Sequence, residues 1–549
     1  MITKRLYAAL AGLLATVAAL SVGELAAGLI SSWYSPVEAV GDRFIFYTPQ
    51  TLKQFAIDIF GTNDKVALIG GTLVVTLIFG ALLGVIGRNR LPLAWAGIAL
   101  FGVIATAAST VEEGLLSSIP SVLTVVAGIP LLTLLLKLAP THAASTTTEP
   151  ADSRTEDDAE SRVPEVAGSG DRRKFLALSG GMVVASAAAV TAGRALVAAR
   201  GSAVADTRNE IASQIGRTEA PAAGATEGST RALGVVDEPL PPLPSGVDFG
   251  IDGLAPFQTT DEDFYRIDIE LSTPQISPDD WTLRIHGMVD NELEFGYEEL
   301  LRRDDLIEAD ITMTCVSNEV GGSLMSSGRW TGVPLTTLLE EAGVQSGADQ
   351  IVGRDDGDFS TGFPVQTLDD GRPAMLALLF NGEPLSPERG FPARVVVPGL
   401  YGYVSATKWI REIELTTFAD FDQYWVDRGW DAEAPIKLQS RIDVPRPLER
   451  VPAGDIMVAG VAWDQTVGIE KVEIKIDDGE WQDTELAEEL NLITWRQWRF
   501  PWMVTEPGNY RLMVRATNKA GEVQTDERQP PFPNGASGLM TLLASVSDA

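Results

Sequence analysis

Cys315 is the only cysteine in a chain of 549 residues, and its neighbours give its sulfur a place to work. It ends the run IEADITMTC, residues 307–315, whose β-type composition predicts a strand, and it opens the segment Thr314-Cys315-Val316-Ser317-Asn318-Glu319-Val320-Gly321-Gly322. A strand that stops there leaves the sulfur at the rim of a core, and the glycines let a ligand approach the backbone. As a thiolate, cysteine is a soft donor suited to a polarizable metal. Taken alone, a single cysteine is more often a small buried core residue. One cysteine excludes an intramolecular disulfide and any zinc or iron–sulfur site built on several cysteines. With only two histidines, His142 and His286, a bis-histidine haem in the apolar part of the chain is not expected.

The elements that must position this sulfur are short. WTLRIHGMV (281–289), PARVVVPG (392–399) and ATKWIREIEL (406–415) read as further strands, and VPLTTLLEEAG (333–343) as a helix capped by Gly343. Residues 259–417 therefore form an α+β domain, in which His286 is a structural strand residue. Beyond about Pro435 the pattern becomes alternating strands, DIMVAGVAWD, IEKVEIKIDDGEW, ITWRQWRFPWMV and NYRLMVRATNKAG, separated by Gly, Pro and Asp turns. That spacing predicts an immunoglobulin-like β-sandwich whose tryptophans are core and interface anchors.

The motifs go further than the periodicity. Thr314–Gly322, then Gly328-Arg329-Trp330-Thr331-Gly332-Val333-Pro334-Leu335, then Glu388-Arg389-Gly390-Phe391-Pro392-Ala393-Arg394-Val395-Val396-Val397-Pro398-Gly399 with Lys408-Trp409, resemble in order the cofactor-binding core of the sulfite oxidase family. Phe264-Tyr265-Arg266 matches the strand that leads into the same pocket. The resemblance covers the chain from about Thr259 to its end and leaves out the apolar part. It implies a molybdenum–molybdopterin cofactor with Cys315 as the equatorial thiolate on the metal, beside the two dithiolene sulfurs. Arg389, Arg394, Ala406, Thr407 and Lys408 are then implied to hold the pterin and its phosphate, and Phe264, Tyr265, Arg266, Ile267 and Asp268 to contact it from the other side. A phosphate and an anionic dithiolene need cationic donors, which Arg supplies as a planar fork and Lys as a point charge. Arg329 and Arg266 match positions that line the pocket for an anionic substrate and would orient sulfite. Arg389 and Asp268 stand where many family members have histidine; these departures bear on the substrate and leave the metal site intact. GVAWD, KVEI, WRQW and RATNKAG resemble the family's dimerisation domain, which implies a homodimer.

The first part of the chain is a different kind of protein. Apolar stretches at about Tyr7–Ile30, Val66–Ile86, Leu91–Ala108 and Leu115–Leu138 each approach the ~20 residues a helix needs to cross a bilayer. Lys4, Arg5, Arg88, Arg90 and Lys137 flank them in a pattern that places those ends in the cytoplasm. A linker rich in Thr, Ser, Glu and Asp comes next, and then Arg172-Arg173-Lys174-Phe175-Leu176 before a small-residue apolar run. This looks like an internal twin-arginine export signal retained as an anchor, or simply a fifth span; either puts the chain beyond Arg200 outside the membrane. His142 is expected at the membrane surface. The formal charge of −33 excludes a nucleic-acid partner and suits solubility.

The expected organisation is a four-helix transmembrane region (1–139), a cytoplasmic linker (140–170), a signal and fifth transmembrane helix (171–200), a disordered tether (201–247), a molybdopterin-binding catalytic domain (248–430) and an immunoglobulin-like dimerisation domain (431–549). The expected activity is oxygen-atom and two-electron transfer on a small oxyanion or sulfoxide, sulfite oxidation first and sulfoxide reduction second, with a non-catalytic anchored scaffold as the rival from another class. Electrons are expected to pass to or from a separate cytochrome, cupredoxin or quinone-linked subunit.

Overall fold

The computed structural model describes residues 2–30, 33–48, 64–113, 115–140, 169–216, 231–357, 359–447 and 449–548. It divides into two compact units, Met1–Ala203 with Glu270–Ser272, and Val204–Ile269 with Thr273–Ala549.

The first unit is helical: α1 (Ile2–Ala27), α2 (Pro36–Tyr47), α3 (Asp64–Gly87), α4 (Leu91–Glu113), α5 (Ile119–Leu138) and the first part of α6 (Ser169–Gln214). Five helical segments are long and apolar enough to cross a membrane: Lys4–Ala27, Ala67–Gly87, Leu91–Thr110, Leu115–Leu138 and Arg173–Gln214. Where apolar side chains gain nothing by leaving lipid, close backbone approach takes over as the packing force. Gly12 on α1 and Gly84 on α3 permit it, since a Cβ on Gly12 would lie 2.1 Å from the Gly80 carbonyl oxygen and one on Gly84 2.1 Å from that of Ala8. The linker expected over 140–170 lies almost wholly outside the described residues, as does His142. The tether is corrected: residues 201–214 continue α6, and 231–247 pack as ordered chain with Leu233 and Val247 buried. Residues 202–214 contain no Pro or Gly, so nothing in them stops the helix that arrives from upstream.

In the second unit, one five-stranded sheet has the order β2 (Leu293–Gly296), β1 (Thr282–Gly287), β10 (Glu412–Thr416), β5 (Gln350–Arg354), β6 (Ser360–Pro364). Another orders β3 (Ile307–Thr314), β4 (Met325–Pro334), β7 (Met375–Phe380) and β8 (Glu383–Pro384), with the short β9 (Arg394–Val396) on β7. Their apolar faces share one core that includes Trp281, Trp330, Leu376 and Phe391. Helix α7 (Tyr297–Leu301) and helix α8 (Leu335–Ala342) pack on it, α8 closing at Gly343 with φ +70° as its sequence required. The remaining strands form a two-sheet sandwich. One sheet orders β11 (Gln439–Val444), β13 (Gly454–Trp463), β17 (Arg496–Val504) and β16 (Glu485–Leu486); the other orders β12 (Arg450–Pro452), β19 (Met540–Ser547), β18 (Gly508–Asn518), β14 (Ile469–Ile476) and β15 (Trp481–Asp483). Trp498, Val458, Val472 and Leu512 fill the space between them.

Three expected strands are not strands along their length; of residues 392–399 only Arg394–Val396 enters a sheet. Residues 406–411 are irregular and only Glu412–Thr416 enters a sheet, because Trp409 takes φ +53° and its N–H is held by Gly390 while that of Ile410 is held by Ala393. Residues 264–266 are likewise irregular chain.

Gly332, in β4, opposes Ala377 of β7, and a Cβ there would meet the Leu376 carbonyl oxygen at 2.1 Å. Backbone cannot give way as a side-chain tip can, so Gly332→Ala should destabilise this sheet by at least the ~1–3 kcal/mol of an overpacked core. The unfolding midpoint of the purified chain checks this; an unchanged midpoint contradicts it.

Candidate active site

Strand β3 ends at Thr314 and delivers Cys315 to a tight loop. The Cys315 N–H donates to the Leu324 carbonyl (3.0 Å), the Asn318 N–H to the Cys315 carbonyl (3.1 Å), and the Leu324 N–H to Asn318 Oδ1 (2.9 Å). Gly321 supplies the positive φ, +79°, that turns the loop back. The sulfur belongs to a residue only 8 % exposed, accepts a bond from the Ser317 N–H at 3.4 Å, and forms part of the wall of a cavity partly open to solvent. Burial pushes the thiol pKa up, while the Ser317 bonds and the Lys408 charge pull it down.

Strand β9 brings Arg394 to the same cavity. Its guanidinium is fully enclosed, reaches only the carbonyls of Arg389 (3.2 Å) and Ala406 (3.4 Å), and leaves Nε without a partner. The Trp330 ring lies 5.3 Å from it. No carboxylate pairs with Arg394 among the described residues, and burial pulls its pKa down to about 10. A buried cation without a counter-ion costs several kcal/mol. Beside it, Lys408 Nζ lies 3.0 Å from Asp268 Oδ2, both nearly buried. Burial pushes Lys408 down to about 7 against the opposing pull of Asp268. Tyr265, raised in pKa chiefly by burial, stacks on Phe264, and both line the cavity with Ile267 and Ala406.

Other expected site residues sit elsewhere. Arg329 is engaged elsewhere: it donates to Asp310 (2.8 and 3.1 Å) and to the carbonyls of Leu240 (3.1 Å) and Pro241 (2.9 Å). Arg266 pairs with Asp268 at 2.9 Å and Thr273 at 2.9 Å and does not line the cavity. Neither guanidinium lines the cavity in this structure. Arg389 does not line the cavity either; it donates to the carbonyls of Tyr265 (2.9 Å), Asp261 (2.8 Å) and Phe264 and lies 4.9 Å from the Phe264 ring. It therefore holds the segment that carries the cavity's aromatic wall. Thr407 is buried against Thr361 at 2.8 Å, behind the wall. His286 pairs with Glu412 at 3.2 Å on the sheet, consistent with a structural role.

The sequence missed Met313, Asp355, Phe359, Gly402, Tyr403 and Trp425, all in the wall. Gly402 and Tyr403 lie between the two quoted motifs and could have been found from that position; Asp355, Phe359 and Trp425 carried no local signal. A second pocket lies among the helices of the first unit, but its walls hold no ionisable group.

The donor set defines the class: a lone soft thiol facing a buried, uncompensated guanidinium and a lysine, in an α+β domain. This cavity fits a large anionic cofactor bound through a metal. Comparison agrees. Residues 270–425 match the family described as oxidoreductase molybdopterin binding domain. The chain is 30% identical over 170 residues to a nitrate reductase [NADH] of Solanum lycopersicum, covering 26% of this chain and 19% of that one. It is 30% identical over 178 residues to nitrate reductase [NADH] 2 of Nicotiana tabacum, covering 28% and 20%. The chain thus spans about a fifth of the length of these curated relatives. The sulfane dehydrogenase SoxCD of Paracoccus pantotrophus is a structural neighbour with a TM-score of 0.46 and 20% identity, covering 61% of this chain and 92% of that one. Residues 270–425 are accordingly a molybdopterin-binding oxidoreductase domain, the family to which the sulfite-oxidase-type motifs pointed, and its cofactor is molybdenum–molybdopterin.

Because folding lowers the Lys408 pKa to about 7, the unfolded chain binds more protons between that value and the ordinary lysine range of about 10.4, so stability rises with pH across this window. The cofactor-free protein should gain stability from about pH 7 to 9, and Lys408→Met should remove most of that gain; parallel slopes for the two proteins count against it. Arg389→Ala should release the segment 261–265, destabilising the fold by the ~1–3 kcal/mol left by orphaned buried acceptors and lowering the pterin content of purified protein. Unchanged pterin fluorescence per chain counts against that positioning role.

Proposed function

We propose that this chain moves an oxygen atom and two electrons between water and a small substrate, with Cys315 Sγ as the protein ligand to molybdenum. One observation carries the reading: the thiol and the uncompensated Arg394 guanidinium line the same pocket. The cofactor, when bound, supplies the redox change. The protein's part is positional. Cys315 is held by its loop, Arg394 and Lys408 offer charge to the anionic cofactor, and Phe359, Tyr403 and Trp425 keep water from the remaining space.

Two substrate readings stand. Sulfite oxidation follows from the family motifs. Reduction of an uncharged sulfoxide is favoured by the cavity itself, whose ionisable wall groups beyond the thiol and a tyrosine pair are two cations and two carboxylates, Asp268 and Asp355. Once an anionic cofactor occupies the cations, the remaining field does not favour a second anion. The tomato and tobacco relatives are nitrate reductases, so nitrate belongs in the same screen. The apolar helices and the Arg172-Arg173 signal support a membrane-anchored enzyme whose catalytic domain is exported folded and already loaded, and the sandwich supports a homodimer. A separate one-electron carrier completes the cycle.

Molybdenum near one per chain, with turnover of sulfite, nitrate or a sulfoxide in the presence of an artificial electron carrier, tests the reading. Cys315→Ser should lower turnover by more than the ~10–100-fold that accompanies loss of a hydrogen-bond partner of a metal ligand, with little loss of folding. Full activity in that variant would sink the ligand assignment.

A further inference from the structure

The oxidoreductase reading leaves one requirement unmet: electrons must cross the protein surface, and a chain with one cysteine and two histidines has no cluster or bis-histidine haem of its own to carry them beyond the cavity. Aromatic rings connect the cavity to solvent. Phe359, Trp425 and Tyr403 form part of its wall. Phe359 meets Tyr424 at 5.5 Å between ring centroids, Tyr424 meets Trp425 at 5.1 Å, and Trp425 meets Trp430 at 6.2 Å. Tyr403 also reaches Trp430, at 5.6 Å, and Trp430 contacts Phe532 at 5.3 Å. Phe532 is 46 % exposed, a large apolar ring at the outer end of a continuous path.

The chain that carries Trp425 and Trp430 is also strongly acidic at its surface. Asp420, Asp422, Asp427, Asp431 and Glu433 are exposed, and within 418–433 the only cation is Arg428, drawn in over the Tyr424 ring at 3.5 Å. We propose that this surface, centred on Phe532 with the buried Trp430 beneath it, docks a basic one-electron redox protein; the proposal rests on the oxidoreductase reading. Conjugated rings in van der Waals succession shorten the through-space gap an electron must cross, and carboxylates around an exposed ring steer a cationic partner into a small, quickly released complex. The electrons balance with two carrier molecules per turnover, each exchanging one. In substrate oxidation, water gives the oxygen atom, two protons go to solvent, and two oxidised carriers are each reduced by one electron; substrate reduction runs the same balance backwards.

The test uses the full chain in detergent and cytochrome c, a basic one-electron protein, as the probe. Asp422→Lys, Asp427→Lys and Glu433→Lys combined should weaken cytochrome c binding at low salt about tenfold or more, with turnover on the anionic acceptor ferricyanide not lowered. Asp455→Lys, Glu470→Lys and Glu506→Lys, an equal change of charge on the sandwich, should leave binding close to wild type. Binding that survives the first triple, or falls equally in both, overturns the docking surface. Ferricyanide turnover and molybdenum content report separately on the cavity, so its failure is distinguishable from failure of the surface.

Discussion

A guanidinium removed from water needs an opposite charge, and Arg394 has none among the described protein groups. Its neighbours are two carbonyls at long range and the face of Trp330. In a medium of low effective dielectric that arrangement is unfavourable unless an anion completes it. Much of the site can be understood from this constraint. Lys408 lies close by but is engaged by Asp268, so Arg394 carries the uncompensated charge, and the thiol of Cys315 sits on the same wall.

The sulfur is held from more than one side. Beyond the hydrogen bonds of its own loop, Arg441 of β11 donates to the Gly322 carbonyl at 2.8 Å. The Trp495 N–H donates to Thr312 Oγ1 at 2.8 Å, and the Thr312 N–H to the Ile493 carbonyl at 3.1 Å, just upstream of the cysteine on the same strand. The sandwich therefore does more than add mass to the second unit: it clamps both the strand that delivers Cys315 and the loop beyond it. A metal ligand needs such support to keep its geometry.

Three arginines show how the same residue type takes different work from its surroundings. Arg394 is buried without an acid and is available to an anion. Arg329 is fully engaged by Asp310 and two carbonyls, and Arg389 by three carbonyls of the segment 261–265. Each sits in a family motif, and motif membership did not separate them. What separates them is whether acceptors from distant parts of the chain reach the guanidinium first.

Length and apolarity were enough to read five membrane-type helices, because a helix satisfies its own backbone and needs only ~20 suitable residues. Cys315, Arg394 and Lys408 were legible as a constellation because three motifs occur in order, and Gly343 was legible as a helix stop because a left-handed position favours glycine. The irregular path of 406–411, the engagement of Arg329 and Arg266 elsewhere, the ordered packing of 231–247, and the wall formed by Asp355, Phe359 and Trp425 were not. Each depends on contacts between residues far apart in sequence, and a local pattern carries no record of which distant group will arrive. The sequence alone determined which atoms could bind a metal and an anion; the tertiary structure decided which of them face the same space, because burial and partner choice are properties of the packed chain.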